Sequence, residues 1–572
     1  MSATQSNLSD ARYGYDFVVA TTQKSINATL KEYLYTTKFP VVRMYWNQDA
    51  DGNPVPVSYE DLMKQTSNTD PLKVPSWNAA QPMTEDLTNI NNSNFYFAFE
   101  AAIGIPSGMA PEDINFDVVT LQPDSNSVVF RLSCATFTIV SCNFGRHGLS
   151  SFTNLQQPSD GAWLFTSTVK LRDILNNSNL PDNVRRQLEN FGPDAFSVQQ
   201  LFLDLDTAAI ESTPTISGLD TGTPAYNLLS QVFIGAYFNA MKTQGHPVLN
   251  YAIVRNAPDH NTSTLQLTNM AMEVSPFIGT PTPALNTLAY LCEVDGNTLP
   301  PSVPFSWNWV EPGESGQFDG AIAINRNTFA RYFRDQLRGY VSSNCYATWV
   351  RVWLSGFLDT TINYSWQLTG NQAPTITMPA TGSTVLQFSY ASSYSDEAGL
   401  GGDMGGMRIS TNMDVSVDFR GNQIVISQHF VIECYVRVMQ SSETWKAANL
   451  YITDTYDLAI DQNGGLTAVL NTQRTDNSDA TPSTNWFIDA FTGLNALVSN
   501  VDQWTKGFAS TGFHTLPVAV AQQFVFPGGK TFAFKDVVFS GNQDLIAHIT
   551  YVKSNLSLPN PITVKNNAYA AV

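Results

Sequence analysis

The residues best placed for chemistry in this chain are acidic pairs at strand-like spacing. Asp204 and Asp206 stand two apart in an alternating segment, so both carboxylates lie on one side of a strand. Some sugar-nucleotide transferases hold a metal ion in this way. Asp414 and Asp418 also share a face, and such pairs can serve as the acid and base of a glycosidase. Paired carboxylates of an acidic chain are usually solvated, so a carbohydrate-active enzyme is the remote alternative.

Residues 47–52 imitate the first half of a calcium-binding loop, with oxygen-bearing side chains at alternate positions before Gly52. The twelfth position of such a loop is Ser58 instead of a bidentate Glu, and prolines interrupt the second half. Asp51 and Gly52 stand between two alternating segments, which predicts a β-hairpin turn instead of a metal site.

Other motifs for catalysis are incomplete. The six histidines include no HxxxH or HxxE pair, so a zinc site would need distant loops. Ser315 lacks the second glycine of a nucleophile elbow, and the glycine cluster at residues 399–406 has no dinucleotide fingerprint and no P-loop lysine. That cluster is typical of a mobile loop, or of a lid over a cavity mouth. We therefore predict a protein that is not an enzyme, with no catalytic residue, cofactor or metal.

The five cysteines have an odd count, are widely spaced and form no CxxC motif, which argues against a disulfide framework. We predict that most are reduced and buried.

Two segments carry apolar residues at the helical period and would form long apolar helices. Residues 224–243 follow Thr223, a good N-cap, and start with Pro224 at the first helical position. Residues 482–506 repeat the pattern at spacings of four and three. The stripes consist of Leu229, Val232, Phe233, Ala236 and Ala240 in the first helix, and of Phe487, Phe491, Leu494, Val498 and Val501 in the second.

Two shorter helices are predicted over residues 22–34 and 325–337. Their apolar stripes are Ile26, Leu30 and Leu34, and Phe329, Phe333 and Leu337. The arginines at residues 326–338 are the densest basic stretch, and their spacing predicts the solvent-facing side of one helix.

In the rest of the chain, apolar and polar residues alternate with period two in segments that are bounded by Gly, Pro, Asn and Asp. This pattern predicts antiparallel strands. The segments are Phe95 to Phe99, Phe130 to Cys134, and residues 163–171, 201–205, 248–254, 265–274, 349–358, 423–438 and 545–552. With four helices in two pairs, we expect two sheets. The fold class is therefore α+β and β-rich.

Length and composition limit the remaining possibilities. At 572 residues the chain is too long to form a single hydrophobic core, so we predict two halves, 1–310 and 311–572. The boundary falls in the Pro- and Gly-rich segment 300–316, and the two halves can exchange strands. The net charge of -19 disfavours nucleic acid and anionic membranes. No stretch could span a bilayer and no signal peptide is visible, so we predict a cytoplasmic protein, or export without a classical signal.

Four segments resemble a known family. Residues 13–20 and 245–251 resemble the forty-seven-kilodalton accessory protein of clostridial botulinum-type toxin clusters, and residues 304–309 and 524–532 look like later landmarks of related bacterial and fungal proteins. This OrfX-like family is similar in fold to the TULIP, or tubular lipid-binding, superfamily. The resemblance implies curved antiparallel sheets wrapped around long apolar helices in two tubular halves, with a lipid-binding channel.

We therefore predict a soluble protein that binds lipid or another apolar molecule between helix and sheet, as an accessory to a toxin-like system. The alternative is a structural or chaperone-like subunit in a homo-oligomer or protein complex, and membrane contact is at most peripheral. The candidate lipid-lining residues are Leu229, Val232, Phe233, Ala236, Phe491, Leu494 and Val498.

Overall fold

The chain forms several antiparallel sheets and four described helices. The structure is a computed structural model that describes residues 2–36, 41–122, 127–146, 148–175, 196–204, 215–217, 221, 226, 229–230, 250–255, 265, 267–356, 361–399, 405–438, 440–462, 464, 466–479, 524–525 and 531–552. The helices are α1 (Gln23–Thr36), α2 (Tyr59–Gln65), α3 (Glu85–Asn92) and α4 (Arg326–Ser343).

The first part of the chain contributes strands β1 to β14. They are β1 (Phe17–Thr22), β2 (Val42–Gln48), β3 (Pro54–Val57), β4 (Trp77–Asn78), β5 (Phe95–Ile103), β6 (Val119–Leu121), β7 (Ser127–Leu132), β8 (Cys134–Gly145), β9 (Gly148–Gln156), β10 (Leu164–Leu175), β11 (Phe196–Asp204), β12 (Thr215–Ser217), β13 (Asn250–Arg255) and β14 (Leu267–Ser275).

The remaining strands include the longest ones. They are β15 (Thr287–Val294), β16 (Gly320–Ile324), β17 (Ala347–Ser355), β18 (Thr361–Thr369), β19 (Thr375–Thr377), β20 (Thr384–Ala398), β21 (Gly405–Arg420), β22 (Gln423–Val438), β23 (Ser441–Ile460), β24 (Leu466–Asp476), β25 (Phe524–Val525), β26 (Thr531–Phe534), β27 (Val538–Phe539) and β28 (Leu545–Val552).

A central seven-stranded sheet joins distant parts of the chain. Its order is β14-β15-β1-β16-β28-β26, with β27 also paired to β28. Strand β1 lies between β15 and β16, and every pairing is antiparallel. Both faces of the sheet are buried, because Phe17 and Val19 face the main core while Val18 and Ala20 face a smaller one.

A strand followed at once by a helix occurs twice in this sheet. Strand β1 leads into α1, where Thr22 Oγ1 accepts from Ser25 N at 3.2 Å, and β16 leads into α4, where Asn325 Oδ1 accepts from Asn327 N at 2.9 Å. Thr22 and Asn325 therefore act as the N-caps of α1 and α4. Because β1 and β16 are antiparallel neighbours, α1 and α4 start at opposite ends of the central sheet.

An aromatic cluster covers the second face of the central sheet. Tyr13 stacks on Phe305 with ring centroids 5.3 Å apart, and Phe305 meets Trp309 edge-on at 5.0 Å. The sheet contributes small side chains such as Ala289 and Ala321 to the same cluster, and their small size leaves room for the large rings. The segment predicted to contain the domain boundary therefore packs against the core.

Four further sheets complete the described fold. A six-stranded sheet has the order β3-β2-β5-β8-β9-β4, and a seven-stranded one has the order β25-β13-β11-β10-β7-β6 with β12 on β10. A second six-stranded sheet runs β19-β20-β21-β22-β23-β24, and β17 and β18 form a hairpin that contacts β20 and β21. The antiparallel, β-rich class is confirmed, whereas the expectation of two sheets is wrong.

The predicted elements have mixed outcomes. Residues 423–438 and 545–552 coincide with β22 and β28, and the shorter helices appear as α1 and α4. The predicted run Phe130 to Cys134 is divided between β7 and β8. The long apolar helices at 224–243 and 482–506 fall almost entirely outside the described residues and stay predictions, as do the two tubular halves. Among the described residues, no helix is long and apolar enough to cross a membrane.

The proposed division at residue 310 also stays a prediction. Strand β16 begins at Gly320 and pairs directly with β1, while β25, at residues 524–525, pairs with β13. Each of these pairings joins segments from opposite sides of the predicted boundary.

Candidate functional site

One of the seven predicted lipid-lining residues can be placed. Leu229 is fully buried and belongs to the main apolar core. The others lie outside the described residues, so their contact with lipid stays a prediction. They are Val232, Phe233, Ala236, Phe491, Leu494 and Val498.

Helix α1 is fixed to the edge strand β6 by two buried amides. Asn27 Nδ2 donates to the carbonyl oxygen of Val119 at 2.7 Å, and its Oδ1 accepts from Val119 N at 2.9 Å. One helical turn earlier, Gln23 Oε1 accepts from Leu121 N at 2.8 Å. The helix thus satisfies the backbone of β6 where a further strand would otherwise pair. The apolar side chains Ile26, Leu30 and Leu34 are buried, as predicted.

Helix α4 is anchored by Arg326, which is buried. Its guanidinium donates to Gln543 Oε1 at 2.9 Å and to the carbonyl oxygens of Pro379 at 2.9 Å and Thr384 at 3.2 Å. The prediction that this arginine lies on the solvent-facing side of the helix is wrong. Position 326 is the first residue of α4, where the side chain faces the segments that lead into β20 and β28 instead of following the helical stripe.

The apolar face of α4 packs against aromatic residues of the second six-stranded sheet and of β27. Phe329 lies 5.3 Å from Phe419, ring centroid to ring centroid, and Phe419 stacks on Phe539 at 4.5 Å with an interplanar angle of 6°. Phe333 meets Phe419 edge-on at 5.9 Å. Since β27 belongs to the central sheet, these rings link helix, six-stranded sheet and central sheet.

We call the buried side of the second six-stranded sheet its inner face. Along β22 every second residue is buried, and the neighbouring strands continue the alternation. Its apolar members include Met407, Ile409, Met413, Val415, Val417, Phe419, Ile424, Ile426, Phe430, Ile432, Cys434, Val436, Trp445, Ala448, Leu450, Ile452, Tyr456 and Leu458.

Polar side chains interrupt the inner face where α4 crosses it. Gln428 is 2% exposed, and its Oε1 accepts from Tyr340 Oη of α4 at 2.7 Å. Burial and the nearby Asp454 raise the pKa of Tyr340, while the hydrogen bond to Gln428 acts in the opposite direction. The phenol therefore keeps its proton and donates it.

Asp454 lies on the same face of the adjacent strand β23. It is fully buried, and its Oδ1 accepts from Thr472 Oγ1 of β24 at 2.6 Å. The register pairs Asp454 with Ile426, and Gln428 with Ile452, so Gln428 and Asp454 are diagonal neighbours. We refer to Tyr340, Gln428, Asp454 and Thr472 as the polar cluster. The sequence carries a signal for it, because Gln428 and Asp454 occupy the apolar phase of alternating strands.

A second buried polar group stands at the start of β1. Asp16 accepts from Arg331 Nη2 at 2.5 Å, from Asn297 Nδ2 at 2.7 Å and from Val294 N at 3.0 Å. Burial, followed by the hydrogen bond to Asp16 and its charge, raises the pKa of Glu293 to about 9. Burial opposes ionisation of Asp16 as well, but hydrogen bonds from Glu293 and others hold its pKa below the usual value. The pair thus retains a proton on Glu293 at neutral pH.

His548 on β28 is nearly buried and paired with Asp536. Its Nδ1 lies 2.9 Å from both carboxylate oxygens, and its ring stacks on Phe318 at 4.3 Å. The nearest oxygen of Glu314 lies farther away, at 3.9 Å from Nε2. Burial opposes ionisation of Asp536, and the contacts with His548 lower its pKa nonetheless. The arrangement fastens the 311–319 loop to the central sheet.

The structure describes both residues of only one of the two candidate carboxylate pairs. Asp414 and Asp418 lie about 13 Å apart along β21, at about 3.3 Å per residue, whereas the two carboxyl groups of glycosidases are about 5 to 9.5 Å apart. Asp418 is also engaged by Thr384 and Arg420, each at 2.5 Å. That pair does not fit the reaction. Asp204 ends β11 and Asp206 lies outside the described residues, so the other pair stays a prediction.

The calcium-like segment forms a hairpin turn between β2 and β3, as predicted. Asp49 Oδ1 accepts from the backbone of Asp51 at 2.9 Å and of Asn53 at 2.8 Å, and Gly52 has a φ of 86°. The carboxylate that would bind an ion therefore closes the turn. All five cysteines are buried, which confirms that part of their prediction.

Comparison with known proteins finds neither a matching family model nor a matching curated protein. Among solved structures, P47 of Clostridium botulinum E1 is 12% identical, with a TM-score of 0.43 over 94% of this chain and 98% of that chain. P47 from Clostridium botulinum A2 is 12% identical, with a TM-score of 0.39 over 94% and 97%. A lipopolysaccharide binding protein is 10% identical, with a TM-score of 0.28 over 94% and 99%. Scores under 0.5 do not establish a shared fold, so membership of the TULIP superfamily stays a prediction.

Proposed function

We propose that this protein is a non-catalytic binding protein that holds an apolar molecule, such as a lipid, against the inner face of the second six-stranded sheet. The observation that carries the proposal is a difference in length. Helix α4 has 18 residues and is about 27 Å long at 1.5 Å per residue. Strand β22 has 16 residues and spans about 53 Å at 3.3 Å per residue.

Buried apolar side chains continue along β22 past the end of α4. Tyr346, just after the helix, contacts Phe430 at 6.0 Å between ring centroids, and Ile432, Cys434 and Val436 extend the inner face further. An acyl chain lying there would gain about 0.8 kcal/mol for each buried methylene group. The non-catalytic part of the proposal rests on the sequence, which contains no complete catalytic motif.

Native mass spectrometry of protein purified from cells, followed by organic extraction, tests the proposal. We expect a co-purified lipid in the wild type. Cys434→Phe fills the inner face beyond α4 and should lower lipid occupancy several-fold, at an overpacking cost of about 1–3 kcal/mol. Val431→Phe on the outer face of the same strand is the matched control. An empty wild-type protein, or equal occupancy in both variants, would contradict the proposal.

One observation favours the second candidate function, an assembly subunit. Trp349 and Trp353 on β17 are 40% and 39% exposed, and the Arg351 guanidinium lies 5.8 Å from the Trp353 ring centroid. Exposed aromatic and arginine side chains are enriched in protein interfaces. The double variant Trp349→Ser, Trp353→Ser should then lower the oligomeric mass. A monomeric wild type would exclude this role for the surface.

A further inference from the structure

Strand β24 forms an open edge of the second six-stranded sheet. It pairs with β23 over its whole length, and no strand pairs with its other side in the part of the chain that the structure describes. Val469 is 61% exposed, and residues 471–476 are exposed as well. The open edge starts just after Gly464, whose carbonyl oxygen accepts from Phe534 N at 2.8 Å. Unpaired backbone groups along such an edge are a template for pairing with another chain.

The register shows which backbone groups face the open side of β24. Asn477 continues this register, and its N–H donates to the carbonyl oxygen of Asn449 on β23 at 2.9 Å. Residues of an antiparallel pair alternate between hydrogen-bonded and non-hydrogen-bonded positions. The odd-numbered residues of β24 therefore direct their N–H and C=O groups toward β23. The even-numbered residues from Leu466 to Asp476 direct theirs away from the sheet.

Other edges of the described sheets are blocked in ways that β24 is not. The edge strand β3 contains Pro54 and Pro56, β6 bonds to the side-chain amides of α1, and β14 has a bulge next to Leu267. Strands β4, β19 and β26 are only two to four residues long. Strand β24 has 11 residues in an uninterrupted register, with neither proline nor lysine. Since proteins usually protect an edge of this length, its openness indicates a pairing partner.

The charge of β24 favours a second copy of the same strand as that partner. Arg474 and Asp476 are its only charged residues, so the strand is neutral although the whole chain has a net charge of -19. Antiparallel pairing of two β24 strands about their middle residue, Asn471, aligns all 11 positions. Even-numbered residues then meet even-numbered ones, so the outward backbone groups pair with each other. Arg474 lies opposite the partner's Ala468 and Asp476 opposite the partner's Leu466, so like charges do not face each other.

We infer that the protein forms a homodimer in which two β24 strands pair antiparallel, with Asn471 opposite its own counterpart. The two six-stranded sheets join into one continuous sheet. Because both copies use the same strand, the contact closes after two copies and does not extend into a fibre. The inference goes beyond the proposed function and does not depend on a bound lipid.

Sedimentation-velocity ultracentrifugation of the full chain tests the inference. We expect a reversible wild-type dimer that strengthens as ionic strength rises from about 0.01 M to about 0.15 M, because the Debye length falls from about 30 Å to about 8 Å and screens the repulsion between two acidic copies. Asn471→Lys and Asn471→Glu each place like charges opposite each other and should weaken dimerisation several-fold. An equimolar mixture of the two variants places opposite charges at these positions and should restore the dimer.

Gln387→Lys is the matched control, because it makes the same change from amide to ammonium at an exposed position on the outer face of β20 in the same sheet. It should keep the wild-type dissociation constant, as should the double variant Trp349→Ser, Trp353→Ser. A monomeric wild type would overturn the inference, and so would a dimer that persists unchanged in Asn471→Lys. A mixture of Asn471→Lys and Asn471→Glu that stays monomeric would overturn the pairing about Asn471.

Discussion

Asn27 pairs with Val119 as a neighbouring strand would, donating to its carbonyl oxygen and accepting from its amide N–H. The match extends to Gln23 and Leu121 because the two periodicities agree. Four helical residues rise about 6.0 Å and two strand residues about 6.6 Å. Two side-chain amides four residues apart on a helix can therefore form hydrogen bonds with the backbone of two alternate residues along a strand edge.

Replacing Asn27 tests this pairing. Asn27→Leu keeps the size of the side chain but leaves the N–H and C=O of Val119 unsatisfied, so the free energy of unfolding should fall by about 2–3 kcal/mol. Urea titration followed by circular dichroism measures the change. Asn471→Leu on the exposed edge strand β24 should change stability by less than about 0.5 kcal/mol. Equal effects in both variants would show that the Asn27 hydrogen bonds do not stabilise the fold.

The Asp16 and Glu293 pair predicts a pH dependence of stability. Glu293 in the unfolded chain releases its proton near its ordinary pKa of 4.5, whereas in the folded protein it keeps the proton up to about pH 9. The folded state binds the extra proton between these values, so the stabilisation contributed by Glu293 is complete below pH 4.5 and is lost as pH rises to about 9. Glu293→Gln mimics the protonated acid and should remove this decline in urea titrations at pH 5, 7 and 9.

Asp544 contributes in the same direction over a narrower range. Burial raises its pKa from 3.8 to about 6, so its stabilisation is lost as pH rises through that value. In the Glu293→Gln variant, the part of the decline in stability that Asp544 causes, which ends near pH 6, should therefore persist. Glu85→Gln, at an exposed position of α3, should retain the full wild-type profile. A pH profile in Glu293→Gln identical to the wild type would refute the assignment.

Arg326 tests whether the planar guanidinium is needed to start α4. Arg326→Lys keeps the charge but cannot reach Gln543, Pro379 and Thr384 together, so we expect a loss of about 2–3 kcal/mol. Arg338→Lys on the exposed side of the same helix should be nearly neutral. Thermal unfolding of the two variants compares them directly, and equal melting temperatures would be incompatible with the anchoring role.

The aromatic contact beneath α4 should be the most sensitive to truncation. Phe419→Ala removes a ring that touches Phe329, Phe333 and Phe539, so unfolding free energy should fall by about 3–5 kcal/mol. Phe144→Ala on β8 removes a ring that is 39% exposed and should cost far less. A small effect at Phe419 in urea titration would mean that this contact does not hold helix and sheets together.

Local patterns in the sequence predicted local elements well. Alternation located β22 and β28, and the apolar stripes of α1 and α4 identified their buried faces, because each pattern is read within one segment. The pairing of β1 with β16 could not be predicted in this way, since about 300 residues separate two short apolar strands that resemble many others. The predicted number of sheets is wrong for the same reason, since it depends on which distant strands pair.

The polar contacts were harder to predict than the apolar ones. The spacing of the four arginines at residues 326–338 predicts one solvent-facing side for all of them, whereas the acceptors of Arg326 lie in distant loops. Gln428 and Asp454 did interrupt apolar alternation, which was a usable signal. Their proximity depends on the register between β22 and β23, which the sequence pattern alone does not determine.

The contact of Asp544 with the beginning of the chain has a consequence for biosynthesis. Asp544 Oδ2 accepts from Ser6 Oγ and from Leu8 N, each at 2.7 Å, across 538 and 536 residues of sequence. At about 5–20 residues per second, a ribosome needs roughly half a minute to two minutes to extend the chain that far. Ser6 and Leu8 can thus reach this native partner only after residue 544 has been synthesised. A nascent chain of this protein should depend on chaperones that shield the segment around Ser6 and Leu8 until Asp544 has emerged from the ribosome.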